Sequence, residues 1–109
     1  MRTAICAAAV GLMLSTLAVS LGSQTKPQTH TVTIEGMRFQ PEMLTVAPGD
    51  TIVWVNKDIV PHTATSKTGR FDSKDIQVEK SWKYTIRKKG DFAYICTFHP
   101  TMKAMLRVE

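Results

Sequence analysis

Cysteine is scarce in this chain. Its 109 residues include two cysteines, and Cys6 lies in an apolar stretch at the N-terminus, which leaves Cys96 as the one thiol in the rest of the sequence. One thiol cannot form a disulfide framework. In an exported domain, a lone cysteine is expected to be buried and inert, paired between chains, or bound to a metal ion.

Helical periodicity and a large charge excess are also missing. No segment shows apolar residues at helical spacing, which excludes a helix bundle. The 14 Lys and Arg residues outnumber the 9 Asp and Glu residues by five. An excess this small in an exported chain gives no reason to predict nucleic-acid binding.

The N-terminus predicts export. Arg2 is followed by an uncharged, mostly apolar run over residues 4–22 that contains many Ala, Gly and Ser residues. A short basic start before an apolar run is typical of a secretory signal peptide. We predict a signal peptide over residues 1–22, cut at a position between 20 and 23, and therefore a periplasmic protein. The alternative is an uncleaved anchor, the one case in which we expect membrane attachment, although the composition makes a weak span.

The remainder of the chain predicts short strands. Residues 23–29 are polar and form a flexible lead-in, so the folded domain is expected over residues 30–109. Alternating or β-branched segments separated by turn residues then favour an antiparallel sandwich or barrel. The predicted strands are 31–35, 43–46, 51–56, 81–86, 92–96 and 105–109, with a long polar connection over 66–80.

A set of metal-binding residue types stands near the C-terminus. Cys96, His99 and Met102 follow one another at three-residue intervals on the predicted loop after the strand 92–96, and His62 follows the strand 51–56. One thiolate, two imidazoles and a weak axial thioether are the donors of a blue-copper site. Soft sulfur donors stabilise Cu(I), and imidazole serves both oxidation states. The sequence therefore predicts one type 1 copper ion held by His62, Cys96, His99 and Met102.

Each of these four residues has an ordinary structural alternative. Cys96 would then be an inert buried thiol, the two histidines plain loop residues, and Met102 core filler. Zinc is a second possible occupant, because it accepts Cys and His in tetrahedral sites, although thioether is a poor ligand for it.

With these motifs in view, the chain resembles the cupredoxins, in particular their amicyanin and plastocyanin-like branch. The resemblance covers residues 31–109 and rests on three stretches, 46–56 with Pro61 and His62, 71–73, and 90–102. It implies a Greek-key β-sandwich of about seven to eight strands, a type 1 copper site at one end, and electron transfer between redox partners.

Three positions depart from the family pattern. Thr63 replaces an Asn that ties the two ligand loops together, and its hydroxyl is expected to take over that role. Phe98 stands where amicyanin-like loops often carry Pro, which restores a backbone N–H that we expect to point at the thiolate. Ala104 replaces a glycine.

The expected function is that of an electron carrier. A donor and an acceptor protein, such as a cytochrome or a dehydrogenase, are predicted to dock on apolar surface near His99. Lys57, Lys67 and Lys103 form either an ordinary solvated face or a basic ring at this end that steers an acidic partner. The alternative is a copper-delivery protein that uses the same ligands, and a third reading is a metal-free sandwich. We expect a monomer, and no enzyme, because three histidines cannot build a second copper centre beside this one.

Residues outside this set receive structural predictions. We expect Trp54 and Trp82 to pack in the core or on a sheet face, His30 to face solvent, and three methionines to pack in or beside the core rather than to form a second copper surface. These methionines are Met37, Met43 and Met105.

Overall fold

The computed structural model describes residues 26–109, together with Gly11 and Met13. The predicted signal peptide and the first residues of the lead-in therefore lie outside the described residues, apart from those two positions. Among the described residues, no helix is long and apolar enough to cross a membrane. Residues 26–109 form eight strands: β1 Thr29–Glu35, β2 Arg38–Gln40, β3 Met43–Val46, β4 Thr51–Asn56, β5 Thr65–Ser66, β6 Ser81–Thr85, β7 Gly90–Cys96 and β8 His99–Val108.

The strands form two four-stranded sheets. Sheet A has the order β2-β1-β4-β6, and sheet B has the order β3-β8-β7-β5. Side chains alternate between core and surface along the central strands, most regularly in β4, because successive residues of a strand point to opposite faces. The all-β sandwich predicted from the sequence is confirmed.

The pairing is mixed rather than purely antiparallel. β1 runs parallel to β4, and β3 runs parallel to β8. The chain leaves sheet A after β2, passes through β3 in sheet B and returns as β4, so β1 and β4 enter sheet A in the same direction. A hairpin would make neighbouring strands antiparallel, but β1 and β4 are connected through sheet B and are therefore parallel. The short strand β2 and the early start of β8 at His99 were not predicted.

The core lies between the sheets and is aromatic at its centre. Trp54 is fully buried and contacts Phe71, Trp82 and Tyr94, with ring centroids 5.4–5.6 Å apart. Such offset and edge-to-face pairs add stability beyond the burial of apolar area. The core prediction is confirmed for Trp54, and Trp82 packs against the core while remaining partly exposed.

The prediction for His30 is wrong. Its side chain is 26% exposed, and its Nε2 lies 2.8 Å from Oδ2 of the buried Asp50. Asp50 also accepts hydrogen bonds from the backbone N–H groups of Gln28 and Ala47. The bond from Gln28 is the main cause that lowers the pKa of Asp50, and His30 adds to it. This carboxylate therefore fastens the start of β1 to the turn before β4, where the sequence pattern shows only a polar lead-in and a turn.

The three methionines differ in their surroundings. Met37 and Met43 are exposed rather than packed in the core, and Met105 is half-buried. Met43 and Met105 are direct neighbours across the parallel pair of β3 and β8.

Candidate metal centre

Adjacent strand ends bring three of the four predicted ligands to one place. Cys96 is the last residue of β7 and His99 is the first residue of β8, so a turn of only two residues separates them. His62 follows β4 and is held in place by mutual backbone hydrogen bonds with Ile76. His99 and Met102 were predicted on a loop, but in the structure both belong to β8. His99 pairs with Cys96, and after a register shift that includes Met102 the pairing continues with Lys103 opposite Ile95.

The donor atoms converge. One nitrogen each of His62 and His99 and the sulfur of Cys96 all lie within 4.8 Å of one another. Nδ1 of His62 is 3.6 Å from Sγ of Cys96. Zinc forms bonds of about 2.0–2.3 Å to His and Cys. Two donor atoms that bind one ion with bonds of this length lie about as far apart as Nδ1 of His62 and Sγ of Cys96. Nδ1 of His99 is buried without a hydrogen-bond partner among the described residues, as expected of a nitrogen that binds a metal ion.

Met102 has the position expected for a fourth donor. It lies on β8 three residues after His99 and is buried, with 4% of its surface exposed. Its neighbours Thr101 and Lys103 are exposed, so Met102 faces the interior. Burial and strand position are thus consistent with the predicted thioether ligand.

Nε2, the ring nitrogen of His62 that does not face Cys96, is hydrogen-bonded to a carboxylate. Oδ2 of Asp58 lies 2.8 Å from Nε2 of His62, a ring that is completely buried. A hydrogen on Nε2 leaves the lone pair on Nδ1, toward Cys96, and a carboxylate partner raises the basicity of a ligating imidazole. The same oxygen accepts the backbone N–H of Met37, which is the main cause that lowers the pKa of Asp58.

Asp58 was not among the residues predicted from the sequence. Its only signal is the spacing of four residues before His62, a pattern that has no special meaning outside a helix. The contact depends on the turn after β1, which brings the N–H of Met37 to the carboxylate, and on the N–H of Ile59, which binds the other oxygen at 3.1 Å.

Thr63 joins the two ligand segments. Its backbone N–H donates to Sγ of Cys96 at 3.4 Å, and its hydroxyl accepts the backbone N–H of Thr97 at 2.9 Å. The expectation for Thr63 is therefore confirmed. The expectation for Phe98 is wrong, because in the part of the chain that the structure describes its N–H makes no hydrogen bond to Cys96; the N–H of Thr63 supplies that bond. Hydrogen bonds to the sulfur favour the thiolate and tune a metal bound to it.

Asn56 holds the loop that carries Asp58 and His62. Its fully buried side chain donates to the carbonyl oxygens of Val60 and Ile76 and accepts the N–H of Asp58, each at 2.9 Å. Two of these bonds go to the loop itself, and the third goes to Ile76, which pairs with His62. Asn56 was predicted from the sequence only as the last residue of a strand.

The outer end of the site is apolar. His99 is half-buried and lines a shallow depression together with Val60, Pro61, Asp75 and Phe98. Phe98 is 50% exposed, and the neighbouring Ile59 is 89% exposed. The predicted basic residues are solvent-exposed as well, and Lys57 pairs with Glu79 at 3.5 Å.

Comparison with known proteins places this geometry in a family. A family model for the cupredoxin-like domain matches residues 4–108. Amicyanin-alpha of Methylorubrum extorquens is 31% identical, and the alignment covers both chains completely. An oxidized mutant of amicyanin superposes with a TM-score of 0.70 and 27% identity, over 73% of this chain and 81% of that one.

A copper-containing nitrite reductase from Thermus scotoductus also matches, with a TM-score of 0.71 and 28% identity. This similarity covers 78% of the present chain and 23% of the reductase, so it concerns one part of that enzyme. That the present chain is not an enzyme stays a prediction.

The family and the donor set agree on the cofactor. Thiolate, imidazole and thioether side chains suit copper, and the convergent nitrogens and sulfur fit one ion. The chain belongs to the cupredoxin family, in its amicyanin-like branch, and its cofactor is one copper ion.

Proposed function

We propose that the protein is a type 1 copper electron carrier in which His62, Cys96, His99 and Met102 bind the ion. The observation that carries this proposal is the convergence of the three donor atoms within 4.8 Å at the end of a β-sandwich. Copper, when bound, supplies a one-electron Cu(I)/Cu(II) couple. The amicyanin relatives support the same function.

The surrounding residues keep the ligands in one arrangement. Asp58 fixes the ring of His62, Thr63 donates to the sulfur of Cys96, and Asn56 holds the connecting loop. These contacts come from strands or from hydrogen-bonded turns, so the donor positions change little when the charge of the site changes. A small rearrangement favours fast electron transfer, because little energy is spent on moving ligands.

The apolar depression around His99 supports the proposed route for electrons. His99 is the ligand on the solvent side, and Phe98 and Ile59 add exposed apolar surface beside it. A small apolar contact binds a partner weakly, as redox encounters require. We propose that a donor and an acceptor protein dock here in turn, in the periplasm, to which residues 1–22 direct the chain.

Rapid kinetics test this function against copper delivery. The copper-loaded protein is mixed with a chemical reductant and then with an oxidised cytochrome, and copper release to a chelator is measured separately. An electron carrier cycles reversibly and retains its copper in both oxidation states. Slow or irreversible reduction, together with rapid loss of copper to the chelator, would instead establish delivery.

A matched pair of variants locates the docking surface. Phe98→Asp places a charge in the apolar depression, and Val78→Asp places one at another exposed apolar residue, which lies outside the residues that line the depression. We expect Phe98→Asp to slow the reaction with the cytochrome and Val78→Asp to leave it near the native rate. Equal rates for all three proteins would contradict docking at His99.

A further inference from the structure

Four aromatic side chains form a continuous line from the core to the edge of sheet A. Ring centroids are 5.6 Å apart between Tyr94 and Trp54, 5.4 Å between Trp54 and Trp82, and 5.7 Å between Trp82 and Tyr84. Tyr94 and Trp54 are buried, while Trp82 and Tyr84 on the edge strand β6 are partly exposed. The line therefore connects the sealed interior with solvent.

The buried end of the line lies next to the metal centre. Tyr94 precedes Cys96 by two residues on β7, and both side chains are buried on the inner face of sheet B. Trp54 precedes Asn56 by two residues on the facing strand β4, and Asn56 holds the loop of His62. Both strands run from these rings toward the ligands.

The two indoles have the chemistry of electron relays. Electron transfer slows steeply with distance, so short steps between oxidisable groups are faster than one long step. Trp54 and Trp82 are oxidisable, whereas Phe71, which also contacts both rings, is not. No carboxylate or imidazole among the described residues accepts the buried Nε1–H of Trp54, so an oxidised Trp54 has no strong base to take its proton and readily recovers an electron.

Tyr94 has a different role in this line. The ring of Tyr94 is buried among Phe39, Trp54 and Phe71, and no hydrogen bond joins its hydroxyl to a carboxylate or an imidazole among the described residues. Oxidation of a phenol that has no base to take its proton is unfavourable. Tyr94 is therefore a ring that bridges the gap between Trp54 and the strand of Cys96, and it does not itself hold an oxidising equivalent.

We propose that Trp82 and Trp54 form an internal relay that carries oxidising equivalents from the edge of sheet A to the reduced copper centre. The relay rests on the proposed electron-carrier function. A radical oxidant at the surface, such as a peroxyl radical, takes one electron from Trp82 and becomes its anion. Trp82 recovers an electron from Trp54, and Trp54 recovers one from Cu(I), which becomes Cu(II).

These electron-transfer steps conserve atoms and charge. One electron passes from Cu(I) to the external radical, and no covalent bond of the protein forms or breaks. A proton that oxidised Trp82 releases to water returns when the indole is reduced. The electron donor of the proposed function then restores Cu(I), so the relay repairs surface oxidation at the expense of one electron.

Pulse radiolysis with azide radicals tests the relay in the Cu(I) protein. We expect the absorption of the indole radical to decay at a rate independent of protein concentration, while the blue Cu(II) absorption grows at the same rate. Trp54→Phe keeps an aromatic ring in the core but removes the oxidisable one, and it should slow this step by an order of magnitude or more. Trp82→Phe provides a second variant at a less buried position.

Two control variants separate the relay from general core packing. Phe39→Leu changes a buried ring that contacts Tyr94 at 4.7 Å, and Tyr94→Phe removes only a hydroxyl; both should leave the rate close to the native value. A native rate in Trp54→Phe, or decay of the native radical without growth of Cu(II), would overturn the relay. Neither result would affect reversible cycling with a cytochrome, which tests the electron-carrier function independently.

Mass spectrometry measures oxidation of the side chains directly and does not rely on the absorption of Cu(II). Zinc in the same site cannot supply an electron, so the zinc-loaded protein should accumulate oxidised Trp82 and Tyr84 after radical exposure. The Cu(I) protein should accumulate several times less. Equal oxidation in both proteins would overturn the proposal.

Discussion

Asp58 offers a direct test of how the protein prepares its metal site. Asp58→Ala removes the carboxylate that lies 2.8 Å from Nε2 of the buried His62 and leaves the N–H of Met37 without its acceptor. Loss of such an outer partner typically weakens metal binding by about 10–100-fold, equivalent to about 1.4–2.7 kcal/mol. We expect a loss of Cu(II) affinity in this range, measured by competition with a chelator.

The reduction potential should change in a defined direction. The pKa of Asp58 lies below its ordinary value, mainly because of the Met37 N–H, so the carboxylate is charged at neutral pH. A negative charge beside the site stabilises Cu(II) more than Cu(I), because Cu(II) carries the larger positive charge. Asp58→Ala should therefore raise the potential, as measured by redox titration of the blue colour.

Asp91→Asn serves as the matched control. Asp91 lies at the start of β7, at the opposite end of the strand from Cys96, and pairs with Arg107 on the surface. The control should keep native copper affinity and potential. If Asp58→Ala also kept both, the contact between Asp58 and His62 would have no role in holding the metal ligand, and the reasoning would be refuted.

Three further predictions concern the ligand loop, the far end of the sandwich and the thioether. Asn56→Ala should lower the free energy of unfolding by about 2–4 kcal/mol, because it removes three hydrogen bonds of a fully buried side chain. Urea titration of the metal-free protein measures this, and a loss below about 1 kcal/mol, roughly one ordinary hydrogen bond, would contradict it. The folded-state pKa of Asp50 is lowered, so its contribution to stability is complete above its unfolded pKa of about 3.9 and is lost as the pH falls through the folded pKa. Asp50→Asn should flatten that acid dependence in urea titrations, and an unchanged dependence would show that other groups cause it. Met102→Leu should retain copper and shift the potential, whereas an unchanged potential in voltammetry would argue against axial coordination.

The sequence was sufficient where the pattern is local. The β-branched and aromatic residues over 51–56 predict β4 with its observed bounds, because such side chains fit the pleated surface of a strand. The chemistry of the C-terminal segment likewise shows in its spacing, since thiolate, imidazole and thioether at three-residue intervals suit few metals other than copper. The convergence of these donors with His62 required the assumption of a sandwich, and the fold bears that assumption out.

The contacts that hold the site could not be predicted, because they join distant parts of the chain. Asp58 depends on a backbone N–H of the turn after β1, 21 positions away. His30 was expected to face solvent, yet the parallel pairing of β1 with β4 brings it to Asp50. Parallel pairing leaves no hairpin signal in the sequence, so neither contact has a local signature.

The spectrum of the copper-loaded protein tests the central assignment most directly. Visible absorption and electron paramagnetic resonance are recorded on the purified Cu(II) protein and on Cys96→Ser, which replaces the thiolate with a hydroxyl at the same position. If the sulfur of Cys96 and the rings of His62 and His99 bind one copper ion, the native protein is intensely blue with narrow copper hyperfine splitting, and the variant loses the blue colour. A pale native protein, or a blue colour that survives in Cys96→Ser, would contradict the account.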